Sequence, residues 1–217
     1  MAFNWTNSTP VDVKTVREWL EAGRKVILYI RHGERPPISP DDPSFGASLE
    51  LTPRGRECAL DVGRALKGAV REIQLKASPM MRTRLTARFI AEGAGMGKNC
   101  PVEDSEEISV RNVFIDPVGV YHAMDRAGVM NFTLSYIETG TAPFCRPVPE
   151  ATRNALDYME RDAAAQLNIY CGHDFMIATA LAGLRLAHFT AETWIPFLTG
   201  LVLVSEEDGS WEPRWFV

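Results

Sequence analysis

The chain lacks the features that mark two large classes of protein. Its formal net charge is −5 over 217 residues, so it has no basic excess that would attract nucleic acid or an anionic membrane surface. No apolar run approaches the roughly 18 residues that a membrane span needs. We therefore expect neither a nucleic-acid partner nor a membrane partner.

Cysteine is scarce and widely spaced. No two cysteines form the CxxC spacing of a redox or zinc motif. Residues 1–10 lack the basic start and apolar core of a secretory signal. We therefore expect reduced thiols and a cytoplasmic location. The four cysteines are Cys58, Cys100, Cys145 and Cys171.

Internal repeats, low-complexity tracts and linkers are also missing. The composition, 46% hydrophobic and 24% charged, is ample for one core. Strand and helix patterns alternate along most of the chain, and an antiparallel hairpin is expected at its end. This order predicts a three-layer α/β/α sandwich with a mainly parallel central sheet. We expect a single domain over residues 1–217, with a small cap insertion at about 112–148.

The stretch with the most chemical content follows the first predicted strand. The apolar run over residues 26–30 predicts a buried strand, and it ends abruptly in Arg31, His32 and Gly33, with Arg35 close behind. Ligands of open α/β sheets bind at this carboxyl edge. Guanidinium groups match phosphate oxygens, and the imidazole between them could act as a nucleophile or a base.

Two further predicted strands end in polar motifs. The strand over residues 72–77 is followed by Arg82 at the start of a helix, where the helix dipole favours anions. The strand over residues 167–171 is followed by His173 and Asp174. Because the carboxyl ends of parallel strands converge, we expect these groups to meet. Arginines, a histidine nucleophile and an acid suit phosphoryl transfer without a metal.

The motifs resemble those of the histidine phosphatase superfamily, which has a phosphoglycerate mutase-like fold. Residues 31–37 resemble the RHGxRxP signature of its histidine acid phosphatase branch. Residues 51–55 are similar to the family's LTxxG element, and residues 78–87 resemble its S-x-x-x-R…T-A element. The pair at 173–174 looks like the family's HD pair. These elements stand in the family's order along the chain.

The resemblance implies a metal-independent phosphatase that acts on a small-molecule phosphomonoester, with no cofactor. His32 would attack phosphorus and form a phosphohistidine that water then hydrolyses. Asp174 would donate the proton to the leaving group. The side chains implied to bind the phosphoryl oxygens are Arg31, Arg35, Arg82 and His173.

Some alternatives stay open at this point. The chain is short for the acid phosphatase branch, and its size is closer to the mutase-containing branch. That branch usually takes its proton from a glutamate after the third strand, and Glu106 or Glu107 stands at about that place. We prefer Asp174 because the HD pair is intact. A phosphoglycerate-type mutase and a non-catalytic phospholigand-binding protein are the alternative functions.

The remaining candidates carry weaker signals. His122 and His188 match no motif element and form no metal-binding spacing. We expect substrate specificity to depend on residues 116–146 and on the loop over residues 36–48. We expect the segment from Trp194 to Phe197 to pack in the interior rather than to stack on a ligand. The sequence carries no signal for an oligomeric state.

Overall fold

The computed structural model describes residues 9–39, 42 and 44–217. One six-stranded sheet lies at its centre. The strands are β1 (Val26–Arg31), β2 (Ile73–Ala77), β3 (Glu103–Asp104), β4 (Leu167–Gly172), β5 (Gly200–Ser205) and β6 (Trp211–Phe216). The helices are α1 (Val13–Glu21), α2 (Pro53–Leu66), α3 (Met81–Gly93), α4 (Pro117–Ala127), α5 (Val129–Thr139), α6 (Val148–Asp162) and α7 (Asp174–Gly183), with a π-helical turn over Glu107–Arg111.

The strand order across the sheet is β3-β2-β4-β1-β5-β6. The pairs β3–β2, β2–β4 and β4–β1 are parallel, whereas β5 is antiparallel to β1 and β6 is antiparallel to β5. The predicted mainly parallel sheet and the terminal hairpin are therefore confirmed. The central strands β1 and β4 are buried on both faces, as their continuous apolar sequences require.

Helices cover both faces of the sheet. Side chains of β1 alternate between the faces, so that Leu28 packs with α1, α2 and α3, whereas Ile27 and Tyr29 pack with α6 and α7. Each face has its own cluster of buried apolar residues. This arrangement confirms the predicted three-layer α/β/α sandwich.

The segment predicted as a cap contains α4 and α5. Its two ends meet, because the amide of Ile115 donates to the Phe144 carbonyl at 2.8 Å and the amide of Arg146 donates to the Val113 carbonyl at 2.8 Å. Ring contacts join it to α7 through Phe175. The small cap at about 112–148 stays a prediction. No helix in the described part of the chain is long and apolar enough to cross a membrane.

The start of α2 holds the loop that follows β1. The Thr52 side chain accepts a hydrogen bond from the Gly55 amide at 2.9 Å, and Pro53 lies in the first turn. This confirms Thr52 as the N-cap that its sequence predicts. The Thr52 amide donates to the Glu34 carbonyl at 2.9 Å. A Cβ atom on Gly55 would lie 2.2 Å from the same carbonyl oxygen, so the loop and the helix touch through backbone atoms.

Helices α2 and α3 cross at a contact between glycines. A Cβ atom on Gly63 would lie 2.1 Å from the carbonyl oxygen of Ile90, and one on Gly93 would lie 2.2 Å from that of Leu60. Real side chains do not approach backbone so closely. The close approach of the two helices therefore depends on both glycines.

We predict that Gly63→Ala destabilises the protein by roughly 2 kcal/mol, because overpacking at a tight contact costs about 1–3 kcal/mol. In a helix without this contact, the same change would stabilise by about 1 kcal/mol. Urea unfolding measures whether Gly63→Ala raises or lowers the free energy of unfolding. Asp61→Ala, at an exposed position of α2, is the matched control and should change stability by less than about 0.5 kcal/mol. A stabilised Gly63→Ala variant would contradict the crossing described here.

Candidate active site

The predicted site residues converge at the carboxyl ends of β1, β2 and β4. Arg31 pairs with Gly172 in the register of β1 and β4, and the His32 amide donates to the Gly172 carbonyl at 3.1 Å. The centroids of the His32 and His173 rings lie 5.5 Å apart. The parallel register thus brings two histidines together that are far apart in sequence.

His32 is held in one tautomer. It is buried, with 3% of its surface exposed, and its Nδ1 lies 2.8 Å from the Gly33 carbonyl oxygen. Because a carbonyl can only accept, Nδ1 carries the proton and Nε2 keeps its lone pair. Burial, followed by the charge of His173, lowers the pKa of His32. The ring is therefore neutral, with a free Nε2 lone pair, at physiological pH.

The three predicted phosphate-binding arginines share an unusual feature. Arg31, Arg35 and Arg82 each have a buried Nε with no hydrogen-bond partner in the structure. Arg82 donates from Nη1 to the Gly46 carbonyl at 2.7 Å. Burial, together with the charge of Arg35, lowers the pKa of Arg82 to about 10. Donors left unpaired among crowded cations fit an anion with several acceptor oxygens, such as a phosphoryl group.

His173 is oriented by a chain of hydroxyl groups. Its Nε2 lies 2.8 Å from Ser78 Oγ, which lies 3.0 Å from Thr83 Oγ1. The Thr83 hydroxyl donates to a backbone carbonyl, either that of Ser78 at 2.8 Å or that of Met80 at 2.7 Å. Ser78 must then donate to Thr83 and accept from His173, so Nε2 of His173 carries a proton. Burial, then the charge of Arg82, lowers the pKa of His173.

Asp174 begins α7 and contacts the same cluster. Its Oδ2 accepts from Arg31 Nη2 at 2.8 Å and from the Trp194 indole N–H at 3.1 Å. Burial acts to raise the pKa of Asp174, but the Arg31 charge, the Trp194 hydrogen bond and the two nearby histidines combine to outweigh it. The net pKa lies below the ordinary value. The carboxyl group is therefore ionised at neutral pH when the site holds no anion.

Glu106 and Glu107, the alternative proton donors, lie in surroundings that differ from those of Asp174. Glu107 accepts from Ser105 Oγ and from Arg111 Nη1, both at 3.3 Å. Glu106 is exposed, and its charge adds to burial in raising the pKa of Tyr121. Asp174, in contrast, contacts a predicted phosphate-binding arginine directly.

Sequence reasoning missed two aromatic members of the site. The expectation that the segment from Trp194 to Phe197 packs rather than stacks on a ligand stays a prediction, although Ile195 is fully buried and Trp194 packs against the core. Phe197 lies with its ring centroid 4.2 Å from Arg31 Cζ and 5.6 Å from the His32 ring, and Trp194 donates to Asp174. This segment leads into β5, whose first residue pairs with Ile30. The sequence does not show that β5 pairs with β1, so it could not place this segment beside His32.

His122 is exposed on α4. The predicted loop over residues 36–48 contains no helix or strand where it is described, and residues 40, 41 and 43 lie outside the described part of the chain. Within that described part, no group of three or more His, Cys, Asp or Glu side chains could hold a metal ion.

Fold and site together define an α/β protein with a cluster of arginines and histidines at the carboxyl edge of its sheet. Residues 27–111, from β1 to the π-helical turn, match the family model of the histidine phosphatase superfamily (branch 1). The resemblance inferred from the motifs is thereby confirmed. The matched range includes His32 and Arg82 and ends before His173. No sequence match was found among curated proteins.

Several solved structures share the fold. Phosphoglycerate mutase from Bacillus anthracis str. Sterne superposes with a TM-score of 0.54 at 14% identity, covering 88% of this chain and 92% of that one. A phosphoserine phosphatase variant from Entamoeba histolytica, in complex with phosphoserine, gives 0.52 at 20% identity, covering 88% and 94%. A mycobacterial glucosyl-3-phosphoglycerate phosphatase gives 0.50 at 14% identity, covering 88% and 96%.

The family match supports a phosphatase or mutase activity. The matched family is branch 1 of the superfamily, whereas the signature over residues 31–37 indicates the acid phosphatase branch. The closer likeness to that branch therefore stays a prediction. Glu106 and Glu107 therefore stay the alternative proton donors.

The buried neutral histidines predict a pH-dependent stability. Below about pH 6.5, the ordinary pKa of a histidine side chain, the unfolded chain takes up protons at His32 and His173 that the folded site does not accept, because the fold lowers both pKa values. The free energy of unfolding should therefore fall as pH decreases from 7 to 5, by up to about 1.4 kcal/mol per pH unit for each histidine.

The His173→Gln variant tests this effect by urea unfolding at several pH values. Its stability should fall less steeply than that of the wild type between about pH 6.5 and 5. Above about pH 7.5, where the histidine is neutral in both the folded and the unfolded chain, the two slopes should coincide. Equal slopes at acidic pH would mean that His173 is not held neutral by the fold.

Proposed function

We propose that this protein hydrolyses a phosphomonoester through a covalent phosphohistidine on His32. The observation that carries the proposal is the Nδ1 contact of His32 with the Gly33 carbonyl at 2.8 Å, which leaves Nε2 unprotonated. A neutral imidazole with a free lone pair beside three arginines is poised to attack phosphorus. The arginines supply the positive charge that other phosphoryl-transfer sites obtain from metal ions.

The reaction would proceed in two displacements. In the first, His32 Nε2 forms a bond to phosphorus while the ester P–O bond breaks, and an acid transfers its proton to the leaving oxygen. In the second, water attacks phosphorus and the P–N bond breaks. The carboxylate that the acid became in the first displacement takes up a proton from the attacking water. Inorganic phosphate and the neutral histidine result. The unpaired Nε–H groups of Arg31, Arg35 and Arg82 would bind the phosphoryl oxygens throughout.

Asp174 is our preferred proton donor. In the free site, Arg31 keeps the carboxylate ionised. A bound phosphoryl dianion would draw the Arg31 charge to itself and repel the carboxylate, so that the pKa of Asp174 rises on binding. Because protonation is still easiest in acid, kcat should fall as pH rises. The alternative donors are Glu106 and Glu107, because the mutase-containing branch of the superfamily usually takes this proton from a glutamate after the third strand.

The first test is hydrolysis of 4-nitrophenyl phosphate from about pH 4 to 8 in the presence of a chelator. We expect activity in the wild type and a loss of at least about a thousandfold in His32→Ala. His122→Ala replaces an exposed histidine outside the site and should retain full activity. A fully active His32→Ala variant would refute the phosphohistidine route. Incubation with a phosphoglycerate distinguishes a hydrolase, which releases phosphate, from a mutase, which returns an isomer.

The proton donor can be identified from the leaving group. Asp174→Asn should lower kcat roughly a hundredfold or more for an alkyl phosphate, whose leaving alkoxide needs a proton. The same variant should lose far less activity with 4-nitrophenyl phosphate, whose phenolate leaves readily. Glu106→Gln is the matched control and should affect both substrates equally. The reverse pattern would assign proton donation to Glu106.

A further inference from the structure

We propose that the substrate's leaving group is an aromatic ring, bound between Phe197 on one side and the stacked pair Phe45–Tyr121 on the other. The inference rests on the proposed phosphomonoesterase function and narrows it to a substrate class, the small aryl or arylalkyl phosphates. Aromatic side chains lie beside the proposed phosphoryl-binding groups.

Phe197 lies beside the proposed nucleophile. Its ring lies 5.6 Å from the His32 ring and 4.2 Å from Arg31 Cζ. The side chain is only half-buried, so part of its surface stays open beside the reacting atoms. A ring bound there would sit on an apolar face whose position Arg31 already fixes through a cation–π contact.

The residue that follows Phe197 has an unfavourable backbone conformation. Leu198, the next residue, has a φ of 61°, in the left-handed region that L residues with side chains avoid. Its amide donates to the Arg31 carbonyl at 3.1 Å, which fixes the turn to the end of β1. Such strain concentrates at functional sites. Here the strained residue directly follows a ring that contacts both Arg31 and His32.

A second aromatic surface lies on the Arg82 side. The Phe45 carbonyl accepts from Arg82 Nη1 at 3.4 Å. The Phe45 ring stacks on the Tyr121 ring, with centroids 4.9 Å apart. Phe45 is exposed at 37% and also has a positive φ, 51°. The pair therefore extends an apolar surface from a phosphate-binding arginine to solvent. Two non-glycine residues with positive φ thus place aromatic surface at the same site.

Two polar side chains of the site region already have partners within the protein. The Trp194 indole N–H donates to Asp174, and the Glu34 carboxylate accepts from Thr52 Oγ1 at 2.8 Å. A sugar or a carboxylate-bearing leaving group would need polar partners beside the phosphoryl site. A flat apolar ring instead matches the surfaces of Phe197, Phe45 and Tyr121.

Binding of non-hydrolysable phosphonates tests the inference separately from catalysis. By calorimetry, benzylphosphonate should bind wild-type protein roughly threefold to tenfold more tightly than cyclohexylmethylphosphonate, which has similar size but no aromatic ring. Phe197→Leu and Tyr121→Leu should each reduce this preference. Trp19→Leu is the matched control, because its ring also lies near an arginine, with Arg24 Cζ 5.7 Å from its centroid, but on α1. It should keep the full preference.

Hydrolysis of the matching esters provides the second readout. Benzyl and cyclohexylmethyl phosphate both release poor leaving groups, so the ratio of their kcat/KM values reports recognition of the ring. A ratio above about three in wild type that falls toward one in Phe197→Leu supports the proposal. Equal binding and equal hydrolysis of the two members of each pair overturn it, as does the absence of any phosphonate binding. A benzyl preference in binding without hydrolysis of either ester supports the aromatic site and refutes the proposed hydrolase function.

Discussion

The parallel pairing of β1 with β4 is the constraint on which the rest of the structure depends. This register sets Arg31 beside Gly172, so that the residues following the two strands, His32 and His173, face each other. Pairing of β4 with β2 then adds the turn that carries Ser78. Backbone hydrogen bonds within one rigid sheet therefore fix the relative positions of groups drawn from distant parts of the sequence. A slip of one residue in β4 would turn every one of its side chains to the opposite face.

Crowding several positive charges into a buried site costs free energy, and a bound anion would offset that cost. Three arginines are gathered around two neutral histidines, and Asp174 provides a carboxylate beside them. Burial and mutual repulsion lower the pKa of Arg82 and of both histidines. The fold holds these groups in place through backbone contacts, such as that of Arg82 with the Gly46 carbonyl. An anion with several oxygens would relieve the repulsion and satisfy the unpaired guanidinium donors at the same time.

Local sequence signals predicted the parts of the fold that depend on local physics. The β1 run, the Thr52 cap and the terminal hairpin follow from apolar patterning, capping chemistry and turn residues, and all are confirmed. The convergence of the strand ends followed from the general rule for parallel sheets. The aromatic residues at the site did not, because the position of Phe197 depends on β5 lying next to β1. Phe45 likewise reaches the site through a long-range contact with Arg82, which no sequence pattern encodes.

The hydroxyl chain from Thr83 through Ser78 to His173 has a consequence for ligand affinity. Since the Nε2 proton of His173 is committed to Ser78, a second proton can enter this ring only at Nδ1. A bound dianion would stabilise that extra charge, so binding of the ligand and binding of a proton would be thermodynamically linked. The affinity of the site for phosphate would then increase as pH falls, whether or not any chemical step follows binding.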